Sequence, residues 1–275
     1  MGIVIGVDVG GSTTKIVGFS PEGGLSGALQ VRASDQITSM YGAVGHFMRE
    51  RALSLDDVEK FVLTGVGASF INENIYGVPT FKTDEFQAIG RGGLYLSGLK
   101  KALVASMGTG TAFVRASGDE IVHIGGSGVG GGTLTGLSSA LLDTDKIAAI
   151  LDLAEKGRIE NIDLSVKDIL AGDIPSLPPD LTAANFGNVS STASKADFAL
   201  GIINMVFQTV GLMAAFALRD DEIKSVVLTG SLAEFPQARE VFPRIGGIYG
   251  LNFVIPANAV YATAIGAAKS APPTT

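Results

Sequence analysis

The sequence repeats one local pattern in each of its halves, and that repeat limits the folds open to it. In the first half an apolar run, Ile3 to Val7, leads into Gly10-Gly11-Ser12-Thr13, and later Phe61-Val62-Leu63 ends in Thr64-Gly65. In the second half Ala102 to Met107 leads into Gly108-Thr109-Gly110-Thr111, and later Val226-Val227-Leu228 ends in Thr229-Gly230. Short apolar strands ending in glycine turns place ligand sites beyond the carboxyl ends of a sheet. Two such halves facing each other predict a duplicated α/β fold of two lobes, with a nucleotide cleft between them.

The first turn carries the chemistry that suggests a nucleotide. In Gly6-Val-Asp-Val-Gly-Gly-Ser-Thr-Thr-Lys15, the turn amides of Gly10 and Gly11 and the hydroxyls of Ser12 and Thr13 suit phosphate oxygens. Lys15 adds a point charge, and Asp8 suits a magnesium ion or its water shell. The plain alternative is a glycine hairpin whose aspartate caps the turn. The second turn, with Gly108, Thr109, Gly110 and Thr111, reads as a matching cradle. A third cluster, Gly125 to Thr133, runs into an apolar helix. Gly130, Gly131, Gly132 and Thr133 would then offer free amides to an anion at the helix start. The later Thr-Gly turn adds Gly230 and Ser231 to the nucleotide set. These parts define an ATP- and magnesium-dependent phosphotransferase.

Phosphoryl transfer to an alcohol needs a base near the attacking hydroxyl. Thr83-Asp84-Glu85-Phe86 supplies two carboxylates ahead of an apolar helix, where either could equally complement the helix N-terminus. Spacing does not choose between them. The two histidines, His46 and His123, lack a partner at metal-binding spacing, and no Gly-x-Ser-x-Gly elbow precedes a histidine. With no cysteine, thiol catalysis and zinc–thiolate sites are excluded. A net charge of -7 argues against nucleic acid or an anionic membrane as partner. Asp8 breaks the first apolar run too early for a signal peptide, so a cytoplasmic protein is expected.

The remaining pattern alternates strand and helix. Strands are expected at Val4–Val9, Thr14–Ser20, Ala28–Ala33, Phe61–Leu63, Leu103–Met107, Thr111–Ala116, Glu120–Ile124, Val226–Leu228 and Phe253–Ile255. Helices are expected at Ile37–Ala52, Phe86–Ser97, Thr133–Leu142, Lys146–Lys156 and Tyr261–Ser270. Prolines mark Asp173–Asp180 as an irregular loop. The lobes divide as 1–97 and 98–270, with a disordered tail over 271–275. Phe198–Leu218 is uncharged and long enough to span a bilayer, but Asn204 and Gln208 share a face flanked by Gly201 and Gly211. That small, polar stripe predicts a buried or dimer-forming helix rather than a membrane span.

Taken together, these residues resemble the type II pantothenate kinases, of the actin-like (ribonuclease H-like) ATPase superfamily. The resemblance rests on the Gly6–Lys15 motif, Glu85-Phe86 with Gly92, Met107-Gly-Thr-Gly-Thr111, the Gly125–Gly132 cluster, Asp180-Leu-Thr-Ala-Ala-Asn-Phe-Gly187 and Ala264-Ile-Gly266. The Asp180–Gly187 string is the most specific of these. The resemblance implies ATP-dependent phosphorylation of pantothenate, a homodimer, Glu85 as catalytic base, and an acceptor site near Thr109, His123, Gly125 and Ser139. The family usually has arginine at the His123 position, often aspartate at Gln87, and a tyrosine near Ser139. These departures fall on the acceptor side, so pantetheine, a sugar, or ATP binding without catalysis are the alternatives.

Overall fold

The structure is a computed structural model that describes residues 2–32, 35–170 and 178–272. The first half forms β1 (Ile3–Val9), β2 (Thr13–Phe19), β3 (Leu25–Arg32), α1 (Gln36–Glu50), β4 (Val58–Thr64), β5 (Thr80–Lys82) and α2 (Glu85–Ser97). The second begins with β6 (Lys101–Met107), β7 (Thr111–Ser117), β8 (Glu120–Ser127), α3 (Gly131–Leu142) and α4 (Ile147–Ala154). It continues through β9 (Leu164–Ser165), α5 (Val166–Ile169), β10 (Thr182–Ala184) and α6 (Lys195–Ala217). It ends with β11 (Ser225–Thr229), α7 (Ala238–Tyr249), β12 (Asn252–Val254) and α8 (Ala262–Lys269).

The duplication is carried by the strand order. One sheet runs β3-β2-β1-β4-β5 and the other β8-β7-β6-β11-β12, so each is an antiparallel meander extended by two parallel strands. Alternation along β1 explains its two faces. Ile5, Val7 and Val9 join Met40, Val44 and Phe47 of α1 in one core. The other face, with Val17 and Phe19 of β2, meets Ala264, Ile265 and Ala268 of α8.

The two sheets exchange helices. α2 packs on β6, β7, β8 and β11, whereas α8 packs on β1, β2 and β4. The two helices cross where Ala88-x-x-x-Gly92 meets Ala262-x-x-x-Gly266. A methyl on Gly92 would lie 1.8 Å from the Ala262 carbonyl oxygen, and one on Gly266 would lie 1.8 Å from that of Ala88. Only glycine allows that approach.

Several expectations shift. β8 continues through Gly125, Gly126 and Ser127, which pair with β7, so the glycine cluster opens as strand. β5 is too short to be read from the sequence, and α7 has Ala238, Phe242 and Ile245 at helical spacing but is masked by Pro243 and the Gly246-Gly247 pair within it. Ala33, residues 173–177 of the expected loop and residues 273–275 of the tail lie outside the described residues; residues 178–180 form a turn, with Leu181 N–H donating to the Pro178 carbonyl at 3.0 Å. The described part of the tail is tied down: Lys60 Nζ donates to the Pro272 carbonyl at 2.8 Å. Among the described residues α6 is the one helix long and apolar enough to cross a membrane, and 56% of that stretch is buried inside the protein, as in a core helix.

The stripe on α6 is used within the chain. Gly201 abuts Ile162 and Phe186, and Gly211 abuts Ile245 of α7. Asn204 donates to the buried Asp163 at 2.7 Å, and Gln208 donates to Thr182 at 2.8 Å. The face on which a dimer was expected therefore packs on the chain itself.

Candidate active site

The site begins at the end of β1. Asp8 lies directly opposite Lys15 in the β1–β2 ladder, with Lys15 Nζ 3.9 Å from its carboxylate. Both side chains are buried. Burial pushes the Asp8 pKa up, and the Lys15 charge opposes that rise. The turn between them closes through Gly10 N–H to the Thr13 carbonyl at 3.0 Å. Among the described residues no group comes within 4 Å of the open side of Gly11. Beside Asp8, β4 ends at Thr64 and Gly65. Gly65 has φ +87°, and a methyl there would lie 2.7 Å from Asp8 Oδ1.

The second lobe mirrors this arrangement. β11 ends at Thr229 and Gly230, again with positive φ (+86°), and a methyl on Gly230 would strike the Met107 carbonyl. The hydroxyls of Thr64 and Thr229 are both buried with no partner among the described residues. Gly230 N–H donates to Ala259, and Ser231 opens the 3-10 turn that follows. The two phosphate-type turns meet across the lobes: Ser12 Oγ lies 3.4 Å from Thr109 Oγ1.

At the start of α3 the free amides expected from the sequence are partly taken. Gly131 N–H donates to Gly108 and Gly132 N–H to Thr109, both at 2.8 Å. Gly130 N–H reaches Thr133 Oγ1, which in turn donates to the Gly128 carbonyl. Thr111 Oγ1 holds the Val129 carbonyl at 2.8 Å. The glycine cluster thus lets the second turn sit tightly on the helix start. A methyl on Gly130 would lie 2.7 Å from Gly110.

The start of α2 separates the two acidic candidates. Asp84 is the N-cap and accepts from Phe86 N–H and Gln87 N–H, both at 3.0 Å. Glu85 is left half-buried. Its pKa is raised, first by burial and then by the charges of Asp8 and Asp84, against the opposing pull of Lys15. Thr83 N–H donates to the Leu63 carbonyl at 2.9 Å, next to Thr64, which pairs with Asp8, so the start of α2 lies beside the strand end that carries Asp8. His123 is exposed on β8 and stacks on Phe86, with ring centroids 3.7 Å apart and planes 9° apart. Gln87 Nε2 donates to the Ile121 carbonyl at 3.3 Å. Gly125 pairs with Phe113 beside a bulge, and Ser139 lies on the exposed side of α3.

Asp163 carries no local signal in the sequence. It sits 4% exposed before β9 and accepts from Asn185, Asn204 and the Phe186 N–H, with Thr182 at 3.5 Å. This is what the Asp180–Gly187 string does: it fastens a β-bridge and a turn onto α6. Phe186 takes a positive φ of 57° within it. Among the described residues no group of three histidine or acidic side chains could hold a metal alone. A metal here would share its shell with phosphate oxygens, as magnesium does, and one buried carboxylate beside an open turn fits that role.

Two sheets of this order, each a meander extended by two parallel strands, define the duplicated actin-like fold class. The fold matches component A of the (R)-2-hydroxyglutaryl-CoA dehydratase of Acidaminococcus fermentans, with TM-score 0.70 and 15% identity, over 98% of this chain and 96% of that one. It also matches a ROK family glucokinase from Streptomyces griseus in complex with glucose and AMPPNP, with TM-score 0.61 and 13% identity, over 98% of each chain. At these identities the likeness concerns the fold alone. The family model described as Fumble matches residues 101–238. A type II pantothenate kinase from Staphylococcus haemolyticus is 30% identical, over 96% of this chain and 98% of that protein. Another from Staphylococcus aureus (strain USA300) is 31% identical, over 82% and 84%. The chain belongs to the type II pantothenate kinase family, and it is a kinase.

Proposed function

We propose that this kinase transfers the terminal phosphoryl group of ATP to the primary hydroxyl of pantothenate, the first step of coenzyme A synthesis. The observation that carries the reading is Glu85, freed from capping by Asp84 and set at the start of α2, where Thr83 N–H bonds the Leu63 carbonyl next to Thr64, the partner of Asp8. Glu85 accepts the hydroxyl proton as the oxygen attacks phosphorus. The turns at Gly10–Thr13 and Gly108–Thr111, with Gly230 and Ser231, cradle the nucleotide. Lys15 complements the negative charge of its phosphates. A magnesium ion held at Asp8, directly or through water, would supply further positive charge to the phosphoryl oxygens. The reading includes lobes divided near residues 97 and 98 and a cytoplasmic setting. It also includes a homodimer through the outward face of α6, where Met205, Thr209, Leu212 and Phe216 share one side.

A coupled assay of nucleotide turnover against pantothenate, pantetheine and simple sugars tests it. Turnover with pantothenate is expected. Turnover with a sugar alone would replace the acceptor, and nucleotide binding without any phosphorylated product would make the chain a regulator. Chromatography with light scattering tests the dimer, which Phe216→Asp would weaken.

A further inference from the structure

The first two turns of α2 are held by the opposite lobe at three points. Phe86 lies face to face with His123, Gln87 Nε2 bonds the Ile121 carbonyl, and Gly90 lets the Ile121 side chain approach, where a methyl would meet it at 2.7 Å. All three contacts fall on β8, the edge strand of the second sheet. The next step of the β7–β8 ladder is a bulge between the His123 and Gly125 pairings, a feature that re-aims side chains at a sheet edge. Glu85 is the residue before Phe86, yet two residues earlier Thr83 N–H donates to the Leu63 carbonyl of the first sheet at 2.9 Å, next to Thr64, which pairs with Asp8. Glu85 thus sits between the contacts to β8 and the strand end that carries Asp8.

We infer that His123 is a positioning residue for Glu85: its ring, stacked on Phe86, fixes the distance between the carboxylate on α2 and the phosphate turn. This deepens the kinase reading and rests on it. A flat ring is what the contact uses, not a charge, so the role passes to another aromatic side chain. An arrangement of this kind acts on the chemical step, because displacing a reacting group by about 1 Å costs on the order of a hundredfold in rate.

The test is steady-state kinetics of the full chain with pantothenate and ATP for His123→Ala, His123→Phe and Gln87→Leu. His123→Ala is expected to lower kcat by about tenfold or more while leaving the KM for ATP unchanged. His123→Phe, which restores the stack, should recover most of that loss. Gln87→Leu cuts the second attachment and should lower kcat in the same sense, which keeps the test decisive if His123→Ala fails to fold. A rise in the KM for pantothenate alone, unrescued by phenylalanine, would make His123 a direct acceptor contact and overturn the inference. An unchanged kcat in both His123→Ala and Gln87→Leu would overturn it as well. Failure of the kinase reading is distinct, because the unaltered chain would then give no turnover of pantothenate.

Discussion

Asp84 and Glu85 are adjacent carboxylates with separate tasks, and one backbone turn divides them. One oxygen of Asp84 accepts from two amides, which leaves Glu85 free of the capping role. Glu85→Gln should therefore lower kcat by about 10²–10⁴-fold, while calorimetry still detects nucleotide binding. A base must be ionised to act, and the Glu85 pKa is raised. Activity should thus fall on the acid side at a higher pH than an exposed glutamate would set. Asp84→Asn keeps a capping oxygen but removes a neighbouring negative charge, so it should move that acid limb to lower pH; an unmoved profile would assign the limb to another group. The sequence placed both acids at a helix start. Spacing could not choose between them, because the choice depends on which side chain turns back to the amides; only the family resemblance pointed to Glu85.

Helix α6 shows the same limit at the next scale. Asn204 and Gln208 were visible as one polar face by their spacing of four residues, but their partners were not. Asp163 lies 41 residues upstream of Asn204 on another element, a pairing that no local pattern encodes. Asp163→Ala would strand the donors of Asn185, Asn204 and Phe186, and should cost on the order of 3 kcal/mol in urea unfolding. Asp163→Asn, which keeps an acceptor, should cost less. The start of α6 makes a second prediction. Asp197 is held at about 2, first by the Ser194 amide and then by further hydrogen bonds from Arg158, Ser194 and Asn161. A carboxylate depressed in the folded state stabilises above its unfolded value near 3.8, and that contribution is lost as pH falls toward 2. Acid unfolding of Asp197→Asn should therefore converge on that of the unaltered protein across this window, and a gap that persists below it would contradict the assignment.

The pairing of two lobes was legible because each half announces its strand ends with Thr-Gly, at Thr64-Gly65 and Thr229-Gly230. The exchange of α2 and α8 between sheets was not, since nothing in Phe86–Ser97 says which sheet it covers. That exchange rests on the crossing at Gly92 and Gly266. Gly266→Ala should force the helices apart and cost about 1–3 kcal/mol by thermal or urea denaturation. A neutral result would mean that the crossing tolerates a wider spacing. The arrangement also bears on how the protein is made. Residues 3–82 form a sheet whose face at Val17 and Phe19 is completed by residues 262–269. A ribosome must add residues 83–261 before that helix emerges. The strands of the first sheet therefore wait through that stretch of synthesis with one greasy side uncovered, until residues 262–269 close it.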